Sequence, residues 1–136
     1  VTLAVLAAAV PGPVAAGAAD TTPAGPQSRE IASSVLGGDY RMTLTAVRST
    51  GDRYAASVRL RVFVPAGDGW RESDRATVGA ADGWFWYPLT GKGAVCRFSV
   101  SGRNPAPVGI SLLITPSIGC SRPRHFVVES GTIRTG

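Results

Sequence analysis

The chain has 136 residues and a net charge of +5, carried by thirteen Arg and one Lys against nine acidic residues, with two Cys and one His. A lone His and two Cys offer too few ligands for a zinc site, and no C-x-x-C redox pair is present. Arg, Ala, Gly and Pro are abundant while Lys and Asn are nearly absent, the bias of a GC-rich bacterial genome, and the basic residues are scattered, so the charge reads as a solubility feature and no nucleic-acid partner is expected.

The chain opens "VTLAVLAAAVPGPVAAGAAD". An apolar run, a Pro-Gly break and an A-x-A pattern at Ala16-Gly17-Ala18 read as a secretory signal peptide over residues 1–18. No Lys or Arg precedes Arg29, which fits a leader truncated at its start. The apolar run is shorter than the roughly 20 residues a bilayer span needs, so the mature chain is expected to carry no membrane span. Residues 19–30 are Pro, Ala, Thr and Gly without periodicity and read as a flexible arm. A single folded domain over 31–136 follows.

From Ile31 onward, period two dominates. Ile31, Ser33 and Val35 suggest a short first strand, ended by Gly37-Gly38-Asp39. "YRMTLTAV" places Tyr40, Met42, Leu44 and Ala46 on one face, and "STGDR" is a turn. "YAASVRLRVFV" alternates Val58, Leu60, Val62 and Val64 against Ser57, Arg59, Arg61 and Phe63, and Pro65 is expected to stop it. Residues 65–83 read as a long loop holding Trp70, with "RATV" as a short edge strand. "WFWYPL" is expected as a strand, "TGKG" as a hairpin turn and "AVCRFSV" as the returning strand. "GRNPAP" is a loop, and "VGISLLIT" a central strand by its nearly continuous apolar character. "PSIGCSRPR" is a loop holding Cys120, and "HFVVE" closes the chain with "TIR" as an extension.

About seven strands with no room for helices predict an all-β antiparallel sandwich of the immunoglobulin-like kind, with a small closed barrel as the alternative. Cys96 and Cys120 are the only cysteines of an exported chain and are expected to form one disulfide, contributing roughly 3 kcal/mol. Phe98, Leu60, Val62, Leu112 and Ile114 occupy apolar parity and are expected in the core.

No catalytic set emerges. His125 is alone, there is no G-x-S-x-G elbow, and a bonded Cys is no nucleophile. Asp68, Glu72, Asp74 and Asp82 miss the calcium-loop pattern, so no metal or other cofactor is expected. The binding clue is aromatic. In a strand, Trp84 and Trp86 share one face and Phe85 and Tyr87 the other, and the accessible pair is expected to be Trp84 and Trp86, assisted by Trp70. A second clue is a basic face of Arg41, Arg59, Arg61 and Arg97, which competes with its reading as an ordinary solvated surface. The expectation is a secreted, non-catalytic binding module for a carbohydrate, such as a cell-wall polymer, or for a protein partner. The alternatives are a small enzyme using His125 or loop carboxylates, and a protease-inhibitor-like presenter of "GRNPAP" or "PSIGCSRPR".

Overall fold

The computed structural model describes residues 26–136. The expected signal peptide and most of the expected arm lie outside the described residues. The elements run β1 (Ser28–Leu36), β2 (Tyr40–Arg48), β3 (Ala55–Ala66), β4 (Gly69–Thr77), β5 (Trp84–Phe85), α1 (Trp86–Thr90), β6 (Val95–Val100), β7 (Ala106–Thr115), β8 (Gly119–Cys120), β9 (Arg124–Glu129) and β10 (Thr132–Thr135). Ser28, Arg29 and Glu30 thus belong to β1, paired with Val47, Ala46 and Thr45, rather than to a free arm.

Two antiparallel sheets result. The first has the order β1-β2-β3-β4, with β5 also pairing β3; the second has β10-β9-β7-β6, with β8 also pairing β7. The sandwich-like, all-β architecture is therefore present. The connectivity differs from the immunoglobulin expectation, because each main path joins strands in chain order as a meander, whereas immunoglobulin domains trade strands between sheets.

Alternation builds the core. Met42, Leu44 and Ala46 of β2 and Val58, Leu60 and Val62 of β3 are buried on the inner face of the first sheet. Across from them stand Val108, Ile110 and Leu112 of β7 with Phe126 and Val128 of β9. Leu60, Val62 and Leu112 are fully buried as expected, whereas Phe98 and Ile114 are only partly buried and pack against this core. Strand β7 lies between β6 and β9, the central position its apolar run predicts.

The expected long loop at 65–83 is mostly strand. β3 continues through Pro65 to Ala66, and β4 pairs back along it from Ala66↔Gly69 to Arg59↔Thr77. Gly67, at φ +58°, lets the chain reverse in so few residues. Charged residues disguised the strand: Arg71, Glu72, Asp74 and Arg75 alternate, but they carry no apolar face. A bulge leaves Ser73 without a partner, since Val62 pairs Asp74 and Phe63 pairs Glu72. The bulge turns this edge toward the second sheet. Ser73 Oγ donates to the Gly131 carbonyl at 2.8 Å, and the Ile133 amide donates to Asp74 Oδ2 at 2.8 Å. Gly131 has φ +82°, and a Cβ there would lie 3.1 Å from Ser73 Oγ, so the latch requires glycine.

Cys96 and Cys120 form a disulfide joining β6 to β8, as expected. Cys120 sits in the two-residue strand β8 rather than in a loop. Among the described residues no helix is long and apolar enough to cross a membrane.

Candidate functional site

The stretch "WFWYPL" departs furthest from its expected form. Only Trp84 and Phe85 are strand, pairing Ala56 and Ala55, and Trp86 begins a single helical turn. Pro88 falls in the first turn, where its missing N–H costs no internal hydrogen bond. The Trp86 amide donates to the Tyr54 carbonyl at 2.8 Å, and Thr90 Oγ1 donates to the Trp86 carbonyl at 2.9 Å. The helix replaces alternation with three-residue spacing, so Trp86 and Leu89 both face inward.

The expected exposure of the two tryptophans is therefore reversed. Trp84 is 4% and Trp86 5% exposed, and the Trp84 indole donates to the Val78 carbonyl at 2.8 Å. Phe85 and Tyr87 face solvent instead, at 42% and 57%. The physical reason is twofold. The inner side of a two-residue strand beside β3 is the core side, and the helix then turns Trp86 back onto the same core. Trp70 is half-buried and pairs Pro65. Trp84 pairs Ala56, nine residues back along β3 and so roughly 30 Å away at the rise of an extended strand. The three tryptophans do not form one surface.

A different aromatic surface forms at this end of β3. The turn after β2 is held by its own side chains: Ser49 Oγ accepts from the Gly51 and Asp52 amides at 3.1 and 3.2 Å, and Asp52 Oδ1 accepts from the Tyr54 amide at 2.9 Å. Tyr54 emerges 52% exposed, with its ring centroid 6.1 Å from that of Tyr87. Phe85 is paired with the adjacent Ala55. Two arginines fix the rings. Arg48 lies 5.3 Å from the Trp86 centroid and 5.2 Å from that of Tyr87, and donates to Tyr87 Oη at 2.9 Å, Gln27 Oε1 at 2.9 Å and the Arg53 carbonyl at 2.7 Å. Arg53 sits 5.1 Å from the Tyr54 ring and donates to its hydroxyl at 3.0 Å. Tyr54 and Tyr87 thus project apolar faces beside cationic groups, and Phe85 is exposed next to them in the chain and in the ladder. Sequence parity missed Tyr54 because it adjoins a turn, and it assigned Phe85 and Tyr87 to the core.

Of the expected basic face, Arg41, Arg59 and Arg61 do share the outer face of the first sheet, in successive ladder rows: Arg41 opposite Phe63, Thr43 opposite Arg61 and Thr45 opposite Arg59. Arg75 joins them, opposite Arg61 on β4. Arg97 lies on β6 in the other sheet and is not part of this face. Much of the charge is paired. Glu72 binds Arg61 at 2.9 Å and Arg75 at 2.9 Å, while Glu30 lies 3.5 Å from Arg41. The hydrogen bond from Arg61 holds the Glu72 carboxyl below the usual carboxylate range, and the same bond raises Arg61.

His125 lines a shallow 420 Å³ cavity on the second sheet, in one ladder row with Gly109 and Ser99. The missing side chain of Gly109 opens it: a Cβ there would lie 3.4 Å from Ser99 Oγ and 3.9 Å from His125 Nδ1. The lining includes Arg97 and Ser101 but no Asp or Glu side chain. Near Cys120, Ile118 is 66% exposed at the tip of a tight turn in which Thr115 pairs Gly119. The four loop carboxylates are dispersed: Glu72 and Asp74 are in β4, Asp82 bonds Ser57 Oγ at 3.2 Å, and Asp68 lies in the β3–β4 turn. No group of three or more His, Cys, Asp or Glu able to hold a metal occurs among the described residues.

No family model, curated protein or solved structure matches this chain.

Proposed function

We propose that this domain is a secreted, non-catalytic binding module that engages a carbohydrate or a protein partner through Tyr54, Phe85 and Tyr87. The observation that carries the reading is the pairing of exposure with rigidity: aromatic rings open to solvent, two of them held by arginines that both cover and hydrogen-bond them. Such rings bury apolar area on contact at little further cost in side-chain order, and Tyr and Arg are the residue types that anchor interfaces. Export is supported by the disulfide, which persists in oxidising compartments. The enzymatic alternative looks to His125, whose cavity offers Ser99 but no carboxylate to orient an imidazole.

The test is a binding screen of the folded domain against insoluble polysaccharides and an array of extracellular proteins, repeated with Tyr54→Ser/Tyr87→Ser. A ligand that the double variant binds at least tenfold more weakly supports the reading. Binding that the double variant retains in full places the site elsewhere and overturns it.

A further inference from the structure

The outer face of the first sheet holds a second concavity, remote in kind from the aromatic surface. It measures 230 Å³ and is lined by Ser28, Thr45, Val47, Arg59, Arg61 and Arg75. That is below the size usual for an organic-ligand pocket and suits a single small group. Its floor exists because Thr45 and Val47 are short side chains of β2 and β1 contributes only Ser28 opposite Val47, while long arginines rise from β3 and β4.

The charge is one-sided. Three guanidiniums line the concavity and no carboxylate does. Glu72 bonds both Arg61 and Arg75, Glu30 lies against Arg41 and acts on Arg61 from farther off, and no carboxylate among the described residues pairs Arg59. Counting Arg41, Arg59, Arg61 and Arg75 against Glu30 and Glu72 leaves two positive charges in excess. Hydroxyl donors stand among them: Thr45 is nearly buried and Ser28 exposed, and neither hydroxyl is engaged by another described residue. Donors therefore converge from four strands. A planar carboxylate has two oxygens and suits one bidentate guanidinium, whereas a group with three or four oxygens can accept from several arginines and a hydroxyl together.

We propose that this concavity is an oxyanion site, taking a sulfate or phosphate group on Arg59, Arg61, Arg75 and Thr45. Arg59 supplies the uncommitted charge. Arg61 and Arg75 are held in place by Glu72 and present their remaining N–H donors. The group can arrive as a free ion or as an ester on a polymer, and the chemistry at the site is the same. The site does not depend on the aromatic surface, so either can fail alone.

The experiment titrates the folded domain, at constant ionic strength, with inorganic phosphate, inorganic sulfate, polyphosphate and dextran sulfate, with neutral dextran as the control. Amide chemical shifts locate the binding. The expected result is saturable binding of at least one anion, with shifts concentrated at Thr45, Arg59 and Arg75, and affinity at least fivefold weaker in Arg59→Gln. Arg103→Gln, an exposed loop change of the same charge, should leave affinity within twofold. Saturation by the free ions identifies a small-anion site; saturation by the polymers alone identifies a pendant group, and either supports the proposal. No saturable binding, shifts spread evenly over the arginines, or equal losses in Arg59→Gln and Arg103→Gln would overturn it. Should Arg59→Gln fold poorly, the wild-type shift map decides.

Discussion

The guanidinium of Arg48 covers the Tyr87 ring at 5.2 Å from its centroid and also donates to its hydroxyl at 2.9 Å. Arg48 thereby ties the end of β2 to α1, two elements distant in sequence, while contacting the ring of Trp86 beneath. Replacing it with Met keeps much of the stem and removes every one of these bonds. The expected outcome for Arg48→Met is a loss of about 1 kcal/mol, the scale of a charge-assisted bond at a surface together with an exposed cation–π contact. Chemical denaturation measures it, and the Tyr87 ring should become more mobile by NMR relaxation.

Core truncation is expected to cost far more. Leu60 and Leu112 are fully buried on opposing sheets. Either one changed to Ala should lose roughly 2–5 kcal/mol. Phe98 is only partly buried, so Phe98→Ala should fall at or below the usual loss for a fully buried Phe, about 3–5 kcal/mol. Denaturant midpoints at unchanged m-value rank the three.

Thr43 carries the opposite expectation. It is 1% exposed and its Oγ1 has no hydrogen-bond partner among the described residues. A buried hydroxyl without a partner keeps its desolvation cost with no compensation, so Thr43→Val should raise stability by about 1 kcal/mol. A rise in the thermal midpoint checks it; a fall would show that the hydroxyl is satisfied in solution.

Glu72 makes stability depend on pH in a defined direction. Its carboxyl titrates lower in the folded chain than in the unfolded one, chiefly through the bond from Arg61. Its contribution is then complete above the unfolded value, about 4.3, and disappears as pH falls through the lower folded value. Glu72→Gln should be less stable than the parent at pH 7, and the gap between the two stability curves should close as pH falls from about 4.3 through the lower folded value. Paired denaturation series across pH 2–7 test the convergence.

Reducing the Cys96–Cys120 bond should destabilise the domain by roughly 3 kcal/mol, because the unfolded chain regains the freedom of the loop between them, which contains all of β7. Intact mass with and without reductant confirms the bond, and unfolding in each state gives the difference.

The strands with an apolar face were legible because β2, β3 and β7 carry their alternation or apolar run in plain residue types. β4 was not, because its residues are mostly polar or charged and its neighbour β3, not its own composition, makes it a strand. Trp86 was misplaced for a different reason. Alternation does keep Trp84 with Trp86 and Phe85 with Tyr87, but the expected core side rests on a hairpin with "AVCRFSV", whereas Trp84 and Phe85 pair Ala56 and Ala55 of β3 and so turn the tryptophans inward. Arg41, Arg59 and Arg61 were assembled correctly since their strands are adjacent, whereas Arg97 has the same outward character on a sheet that sequence alone could not separate from the first.

The two meanders have a bearing on synthesis. The first sheet draws its strands from Ser28–Phe85 and the second from Val95–Thr135, with one crossing through α1 and the glycines Gly91 and Gly93. Most pairings are therefore between neighbours in the chain, which favours rapid zipping of each sheet. Yet the first sheet, complete when its last strand leaves the ribosome, still presents Met42, Leu44, Leu60 and Val62 to whatever is nearby until the second sheet arrives to cover them. A nascent chain halted in the Gly91–Gly93 crossing would be a half-sandwich with an open greasy face, a form that must be shielded until the second sheet is made.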